Sequence, residues 1–328
     1  MLQKLFPPFE PATRSLFEPL SADYPMCRSV LAGVYPAKVF VDEPANPKTG
    51  LLMTFFDQSA VWAFLVGSPS NKDFNQALQQ ATSEHKILGK NTGAMFFNCY
   101  PSDWREQLPI IIAPHETIPM CRKHYVARKI DFDWRARLRD GFLVNRLGPS
   151  MLSRPDFYVP REVRSALAKW QRMSSPDFQD FGFGIVHQNA IVSWATAEYV
   201  ADGRGDLRYY TVGNYRRRGL GTIVAAAAIE HGLSNGLSEI HWTCAARNTG
   251  SIRTAERLGL EYVHGDESCL LIFNEGRHLS KRSNYALSRK RPNQAADTLD
   301  QYVATASNPA VTTCHDAAQE WAALTDRN

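Results

Sequence analysis

The 328-residue chain has no Cys-x-x-Cys pair, and its six cysteines (27, 99, 121, 244, 269 and 314) are scattered. Neither a zinc ribbon nor a disulfide framework is expected from that spacing, and a reducing, cytoplasmic setting fits it best. Long apolar runs are also missing. The most apolar helical stretch, residues 223–229, falls far short of the ~20 residues that cross a bilayer. The opening MLQKLFPPFEPATRSLF places prolines and a glutamate where a signal peptide needs an apolar core. We therefore expect a soluble protein without a membrane partner. Three chemical signatures are absent as well. There is no Gly-x-Ser-x-Gly elbow for a serine nucleophile, no Gly-Lys-Ser/Thr for a P-loop, and no spaced glycine fingerprint of a dinucleotide fold. Excess charge of one sign is missing too. A net charge of +4 with pI near 8.7 is too weak to argue for nucleic acid, though it suits an anionic ligand.

What is present is an ordinary globular composition, 44% hydrophobic and 21% charged, long enough for two domains. We read residues 1–125 as a smaller N-terminal α+β domain, 126–275 as a second domain, and 276–328 as a helical extension. In the first, residues 38–41, 51–56, 61–66, 92–100 and 109–113 are strand candidates, and 71–82 fits an amphipathic helix. In the second, 125–132 reads as a connecting strand and 162–172 as a helix. Residues 181–186 and 190–200 form an antiparallel pair, and 207–212 is a further strand. A helix over 222–233, a strand over 238–245 and a helix over 249–258 follow. Residues 261–264 and 268–273 read as a hairpin around Gly265-Asp266. The extension begins with a run of basic residues (277–291). It contains one aromatic, Tyr285, which is a poor stacking platform for nucleic acid.

The most informative stretch is 206–222. A β-type run ends in a polar turn, and Arg216-Arg217-Arg218-Gly219-Leu220-Gly221 then opens an alanine-rich helix. Such a turn offers backbone N–H groups to an anion at the positive end of a helix dipole. Glycines at 219 and 221 let the backbone approach a phosphate, the arginines meet its oxygens, and Thr222 adds a hydroxyl. About thirty residues on, Asn248 precedes a short helix that stops at Leu258-Gly259. A helix N-cap is the plain reading of Asn248.

Together these halves resemble the Gcn5-related N-acetyltransferase (GNAT) superfamily, over about 181–273. Phe181-Gly182-Phe183-Gly184, His241-Trp242-Thr243-Cys244 and Ala255-Glu256-Arg257-Leu258-Gly259 are similar to one bacterial GNAT family, that of the zwittermicin A resistance acetyltransferase. Leu31-Ala32-Gly33 and Val39-Phe40-Val41-Asp42-Glu43 resemble its N-terminal part. The resemblance implies an α+β chain with α/β/α layering and a central mixed, splayed sheet in the C-terminal half. Whether the N-terminal domain is a degenerate copy of that fold stays open.

It further implies acetyl-CoA as co-substrate and no metal. Arg216, Arg217, Arg218, Gly219, Leu220, Gly221 and Thr222 would hold its pyrophosphate. Backbone groups of Thr211 and Val212 would meet the pantetheine arm, one N–H (assigned to Val212) polarising the thioester carbonyl as an oxyanion-hole donor. Asn248 and Ser251 would bind the same arm. Ala255 stands where many relatives carry a tyrosine that protonates the leaving thiolate. Tyr209, Tyr210, Tyr262 and Ser268 remain candidates for that acid. For the base that deprotonates the amine, Glu198 comes first and Asp206 second, with His241 behind. The expected reaction is direct acetyl transfer to a primary amine of a small molecule. A protein or peptide acceptor, or a catalytically silent acyl-CoA-binding sensor or scaffold, are the alternatives. The oligomeric state is not legible.

Overall fold

The computed structural model describes residues 2–55, 60–83, 94–113, 115, 117–173 and 175–272. The basic run and the helical extension lie outside them. In chain order the elements are β1 (Gln3–Leu5), α1 (Pro11–Ser21), α2 (Pro25–Leu31), β2 (Ala37–Val41), β3 (Thr49–Phe55), β4 (Ala60–Gly67), α3 (Lys72–Ser83), β5 (Ala94–Tyr100), α4 (Trp104–Ile111), β6 (Thr117–Ala127), β7 (Leu143–Arg146), α5 (Arg161–Arg172), β8 (Phe181–His187), β9 (Ala190–Ala201), β10 (Arg204–Thr211), α6 (Leu220–Ser234), β11 (Glu239–Ala245), α7 (Thr249–Arg257) and β12 (Glu261–Ile272). The mixture of helices and strands makes the chain α+β, as expected.

Two compact units emerge. Among the described residues, the first comprises those up to Lys4, those within Val39–Met120 and those from Glu267 to Ile272; the second comprises those within Leu5–Lys38 and Cys121–Asp266. The first helices belong to the second unit. The physical cause is α2, whose Pro25, Met26, Cys27, Val30 and Leu31 are all buried and which packs on β9 and β10.

In the first unit the strand order is β1–β2–β3–β4–β5, followed by the C-terminal half of β12. β3 and β4 form an antiparallel pair from Thr49↔Gly67 to Phe55↔Val61. Helix α3 then crosses to β5, which runs parallel to β4. Asn71 caps that helix by accepting the Phe74 N–H at 3.1 Å. Phe74, Leu78 and Thr82 recur every fourth residue and form its buried face.

Three sequence readings fail, each for a tertiary reason. Residues 109–113 are not a strand. Most of them end α4, because Trp104, Leu108 and Ile111 share one buried helical face despite the isoleucine run. The connecting strand is β6, ending at Ala127, rather than 125–132. Gly265-Asp266 is not a hairpin turn, since β12 runs straight through it. A Cβ at Gly265 would stand 3.2 Å from the Arg122 carbonyl oxygen. The glycine marks close approach of a neighbouring strand, which looks the same as a turn in sequence.

In the second unit the order is β6–β11–β10–β9–β8–β7. Its core is built from Ala195, Ala197 and Leu207 of the sheet, the apolar residues of α6, and Trp242, Ala255 and Leu258. Helix α6 is apolar on nearly every side, with Ile223, Val224, four successive alanines and Ile229 buried. Its small alanines suit a helix packed closely against the sheet. The order antiparallel pair, helix, parallel strand, helix recurs in both units. One difference separates them. β4 and β5 stay in register over seven positions, from Ala60↔Ala94 to Val66↔Tyr100. β10 and β11 pair only at Arg204↔Glu239, Gly205↔Ile240 and Asp206↔His241.

Candidate active site

Beyond Asp206 the parallel pair of the second unit separates. β10 continues to Thr211 bonded to β9, while β11 continues to Ala245 bonded to β6. The gap is a cleft of about 930 Å³, lined by residues 207–211 of β10, 242–245 of β11, the loop into α6 with the start of that helix, and one face of α7. Its charge is one-sided. Arg208, Arg216, Arg217, Arg253 and Arg257 line it, and no aspartate or glutamate does. Arg253 and Arg257 were missed from sequence, although their spacing of four on α7 places both on one helical face.

Gly219 is the residue before α6 and adopts φ = 81°, a left-handed conformation that glycine takes without a Cβ penalty. Its carbonyl accepts the Ile223 N–H at 3.1 Å. A Cβ on Gly219 would meet nothing within 4 Å. Gly221 serves another purpose. A Cβ there would lie 2.8 Å from Tyr209 Cε2 and 3.1 Å from Thr211 Oγ1. This glycine brings the start of α6 against β10, so close packing replaces the expected phosphate approach as its reason.

Of the expected ligand residues, Thr211, Arg216, Arg217, Gly219, Leu220, Gly221, Thr222, Asn248 and Ser251 line the cleft. Arg218 is not among the lining residues; its guanidinium lies over the Tyr215 ring at 5.3 Å. Arg216 is tethered, its Nε donating to the Thr211 carbonyl at 3.0 Å and a terminal nitrogen to the Tyr210 hydroxyl at 2.9 Å. Asn248 caps α7 by accepting the Ser251 N–H at 3.1 Å, and the Ser251 hydroxyl accepts Trp242 Nε1–H at 3.1 Å.

The Val212 assignment needs correction. Its N–H donates to the Val192 carbonyl at 2.9 Å, and the residue does not line the cleft. In an antiparallel ladder alternate residues turn their amides to opposite sides. With Val212 turned to β9, the N–H of Thr211 faces the β11 side.

The acid–base candidates are distributed unequally. Tyr209 and Tyr210 line the cleft. Tyr209 packs on Trp242 with ring centroids 4.7 Å apart, and its hydroxyl donates to Thr254 Oγ1 at 3.2 Å. A tyrosine hydroxyl from β10 thus reaches α7 beside the fully buried Ala255. Tyr262 is exposed, and Ser268 lies in the first unit, donating to the Met120 carbonyl.

Glu198, Asp206 and His241 do not line the cleft. Glu198 accepts from Lys169 Nζ at 2.7 Å and from the Thr196 hydroxyl at 3.0 Å. Burial pushes its carboxyl pKa up, but Lys169 and Arg208 outweigh burial and hold it below the ordinary value. A carboxylate engaged in this way is a poor proton acceptor. Asp206 is raised by burial, partly offset by Arg208 at 3.5 Å. His241 is lowered by burial despite Glu239 Oε1 at 3.2 Å from its Nε2. Burial likewise raises the Cys244 thiol, which lines the cleft and so stays protonated near neutral pH. Among the described residues no group of histidines, cysteines and carboxylates is arranged to hold a metal, and no helix is long and apolar enough to cross a membrane.

The chain is 25% identical over 235 residues to the uncharacterized N-acetyltransferase YdfB of Bacillus subtilis (strain 168), covering 72% of this chain and 85% of that one. The fold is similar to a GCN5-related N-acetyltransferase-like protein from Streptococcus suis 89/1591. That likeness has a TM-score of 0.53, 19% identity, and 78% and 98% of the two chains covered. It is also similar to a tandem GNAT protein from the clavulanic acid biosynthesis pathway, with a TM-score of 0.54, 14% identity, and 79% and 93% covered. The model of the GNAT acetyltransferase family matches residues 14–265, most of the chain, and the protein belongs to that family of acyltransferases.

Proposed function

We propose that the second unit transfers an acetyl group from acetyl-CoA to a primary amine of a small molecule. One observation carries this reading: the sheet opens at β10 and β11 into a cleft with five arginines and no acid. A polyanion with a long, narrow arm suits such a cleft. The pyrophosphate would meet the amides after Gly219 and the guanidinium of Arg217, with Arg253 and Arg257 adding charge from α7. Thr211, Asn248 and Ser251 would bond the pantetheine arm. The Thr211 N–H, turned toward the cleft, replaces Val212 as the donor facing the thioester oxygen.

Cys244 supports direct attack over a covalent acyl-enzyme, because a buried, protonated thiol is a weak nucleophile. Tyr209 is the hydroxyl best placed to protonate the leaving thiolate, given its reach to Thr254 beside Ala255.

The test is calorimetric titration with CoA, then thiol release from acetyl-CoA with a panel of primary amines: a polyamine, an amino-acid amide, an aminoglycoside and a lysine-containing peptide. Binding with turnover of a small amine supports the reading. Turnover of the peptide alone moves the acceptor to a protein. Binding without turnover of any amine leaves a binding module. Failure to bind CoA removes the assignment altogether.

A further inference from the structure

The cleft residue Thr243 has a second side. β11 alternates, so Trp242 and Cys244 face α6 and α7 while Thr243 faces the other way. On that side its hydroxyl lies 3.3 Å from His124 Nδ1. His124 is 3% exposed and sits on β6, register-paired with Thr243. Its other nitrogen, Nε2, stands 3.2 Å from Asp266 Oδ1. Hydroxyl, imidazole and carboxylate therefore lie in sequence, and of the three residues Thr243 alone lines the cleft. Asp266 is itself fixed by the Tyr24 hydroxyl. The imidazole is clamped between the Tyr24 ring, edge-on at 5.2 Å, and the His264 ring, stacked at 4.6 Å.

Resting on the acetyl-transfer reading, we propose that Thr243, His124 and Asp266 form the proton relay that deprotonates the acceptor ammonium. As the ammonium gives a proton to Thr243 Oγ1, the Thr243 hydroxyl passes its own hydrogen to His124 Nδ1. The acceptor becomes a neutral amine, the threonine is unchanged and His124 becomes an imidazolium. Asp266, with Oδ1 3.2 Å from Nε2, stabilises that cation by its charge. Thr243 is the catalytic group at the cleft, and His124 and Asp266 are positioning residues behind it.

This arrangement places a base behind a hydroxyl and a carboxylate beside the base. Glu198 and Asp206 are not so placed, since neither lines the cleft. The carboxylate stays ionised. Burial pushes the Asp266 pKa up, but His124, Tyr24 and Arg122 outweigh burial and hold it below the usual value. The groups that face His124 are Thr243 from β11, Asp266 and His264 from β12, and Tyr24 ahead of α2. Asp23, 3.0 Å from His264 Nε2, and Arg122 of β6 stand behind them.

The relay is tested on the full chain labelled with ¹⁵N-histidine and saturated with CoA. The neutral His124 ring is expected to carry its hydrogen on Nε2, leaving Nδ1 to accept from Thr243. A hydrogen on Nδ1 instead overturns the relay. In thiol-release assays with the amine that the panel selects, Thr243→Val is expected to lower kcat by about 10²–10⁴, the usual range for acid–base catalysis. CoA affinity should be unchanged, and Thr243→Ser should recover most of the rate. His124→Gln is expected to lower kcat to the same extent, with CoA affinity again unchanged. Because His124→Gln disturbs a buried site, the valine–serine pair stands independently of it. If wild type turns over an amine and Thr243→Val matches it, the relay alone fails. If wild type binds CoA but acetylates nothing, the transferase reading fails and takes the relay with it.

Discussion

The two loop glycines should fail in different ways when substituted, which tests how the cleft is built. Gly221→Ala places a methyl 2.8 Å from Tyr209 Cε2 and 3.1 Å from Cδ2. The ring cannot easily retreat, since it packs on Trp242 at 4.7 Å and is tied to Thr254 at 3.2 Å. Overpacking of this kind costs about 1–3 kcal/mol. Alanine's helix propensity returns about 1 kcal/mol. The net loss is about 0–2 kcal/mol, a fall in Tm of about 2–4 °C for each kcal/mol in a unit of this size.

Gly219→Ala meets no atom within 4 Å but must hold φ near 81°. The left-handed penalty is about 1–2 kcal/mol. The reduced entropy of the unfolded chain offsets about 0.4–1 kcal/mol of it. The single-variant losses therefore overlap in size, and second substitutions separate them. Tyr209→Leu should relieve Gly221→Ala by about 1 kcal/mol and leave Gly219→Ala unchanged. Asn, which tolerates the left-handed region, should be milder than Ala at 219 and gives no such relief at 221. Scanning calorimetry of the single and double variants at fixed concentration supplies the cycle. Additivity of Gly221→Ala with Tyr209→Leu, within about 0.5 kcal/mol, would refute the packing account.

Two further outcomes are expected. Arg217→Ala should weaken CoA binding about 10–100-fold by titration calorimetry, the worth of a charge-assisted hydrogen bond, with a loss that shrinks at high salt. Arg218→Ala should change affinity by no more than about twofold, because that side chain lies on Tyr215 and not on the cleft. Asp180 is buried beside Glu198, and burial first, then Glu198, push its pKa up to about 7 despite Lys169. A folded pKa above the unfolded value means that the folded state binds the proton more tightly. The Asp180 contribution to stability is therefore full below about pH 4 and is lost as pH rises toward about 7. Asp180→Asn lacks that dependence, so its Tm relative to wild type should climb steadily from pH 4 to pH 7. A constant difference across that range would contradict the assignment.

Some of this was legible because it is local. The Arg/Gly turn before an alanine-rich helix is a short-range pattern of backbone conformation and side-chain size, and Gly219 and α6 stand where it indicates. Asn248 is a helix cap in sequence and in space. Residues 181–200 read as an antiparallel pair because β8 and β9 meet across a short turn. Local signals misled where a residue's role came from a distant neighbour. Gly265 reads as a turn because close approach to Arg122 leaves the same mark as a sharp bend. Ile110, Ile111 and Ile112 favoured a strand until Trp104 and Leu108 supplied a shared buried helical face.

The site divides in the same way. Sequence alone determined the form of the loop before α6, since its physics lies in consecutive residues: a left-handed glycine followed directly by a helix start. Only the tertiary structure decided where β10 and β11 part, because strand separation depends on pairing with β9 and β6. That separation excluded Glu198 and Asp206 from the cleft and turned the Val212 amide away. Pairing of β11 with β6, and of β6 with β12, brought Thr243, His124 and Asp266 together from three strands. Those residues are more than a hundred positions apart at the widest, and no sequence periodicity encodes their contact. Long-range register and burial place them.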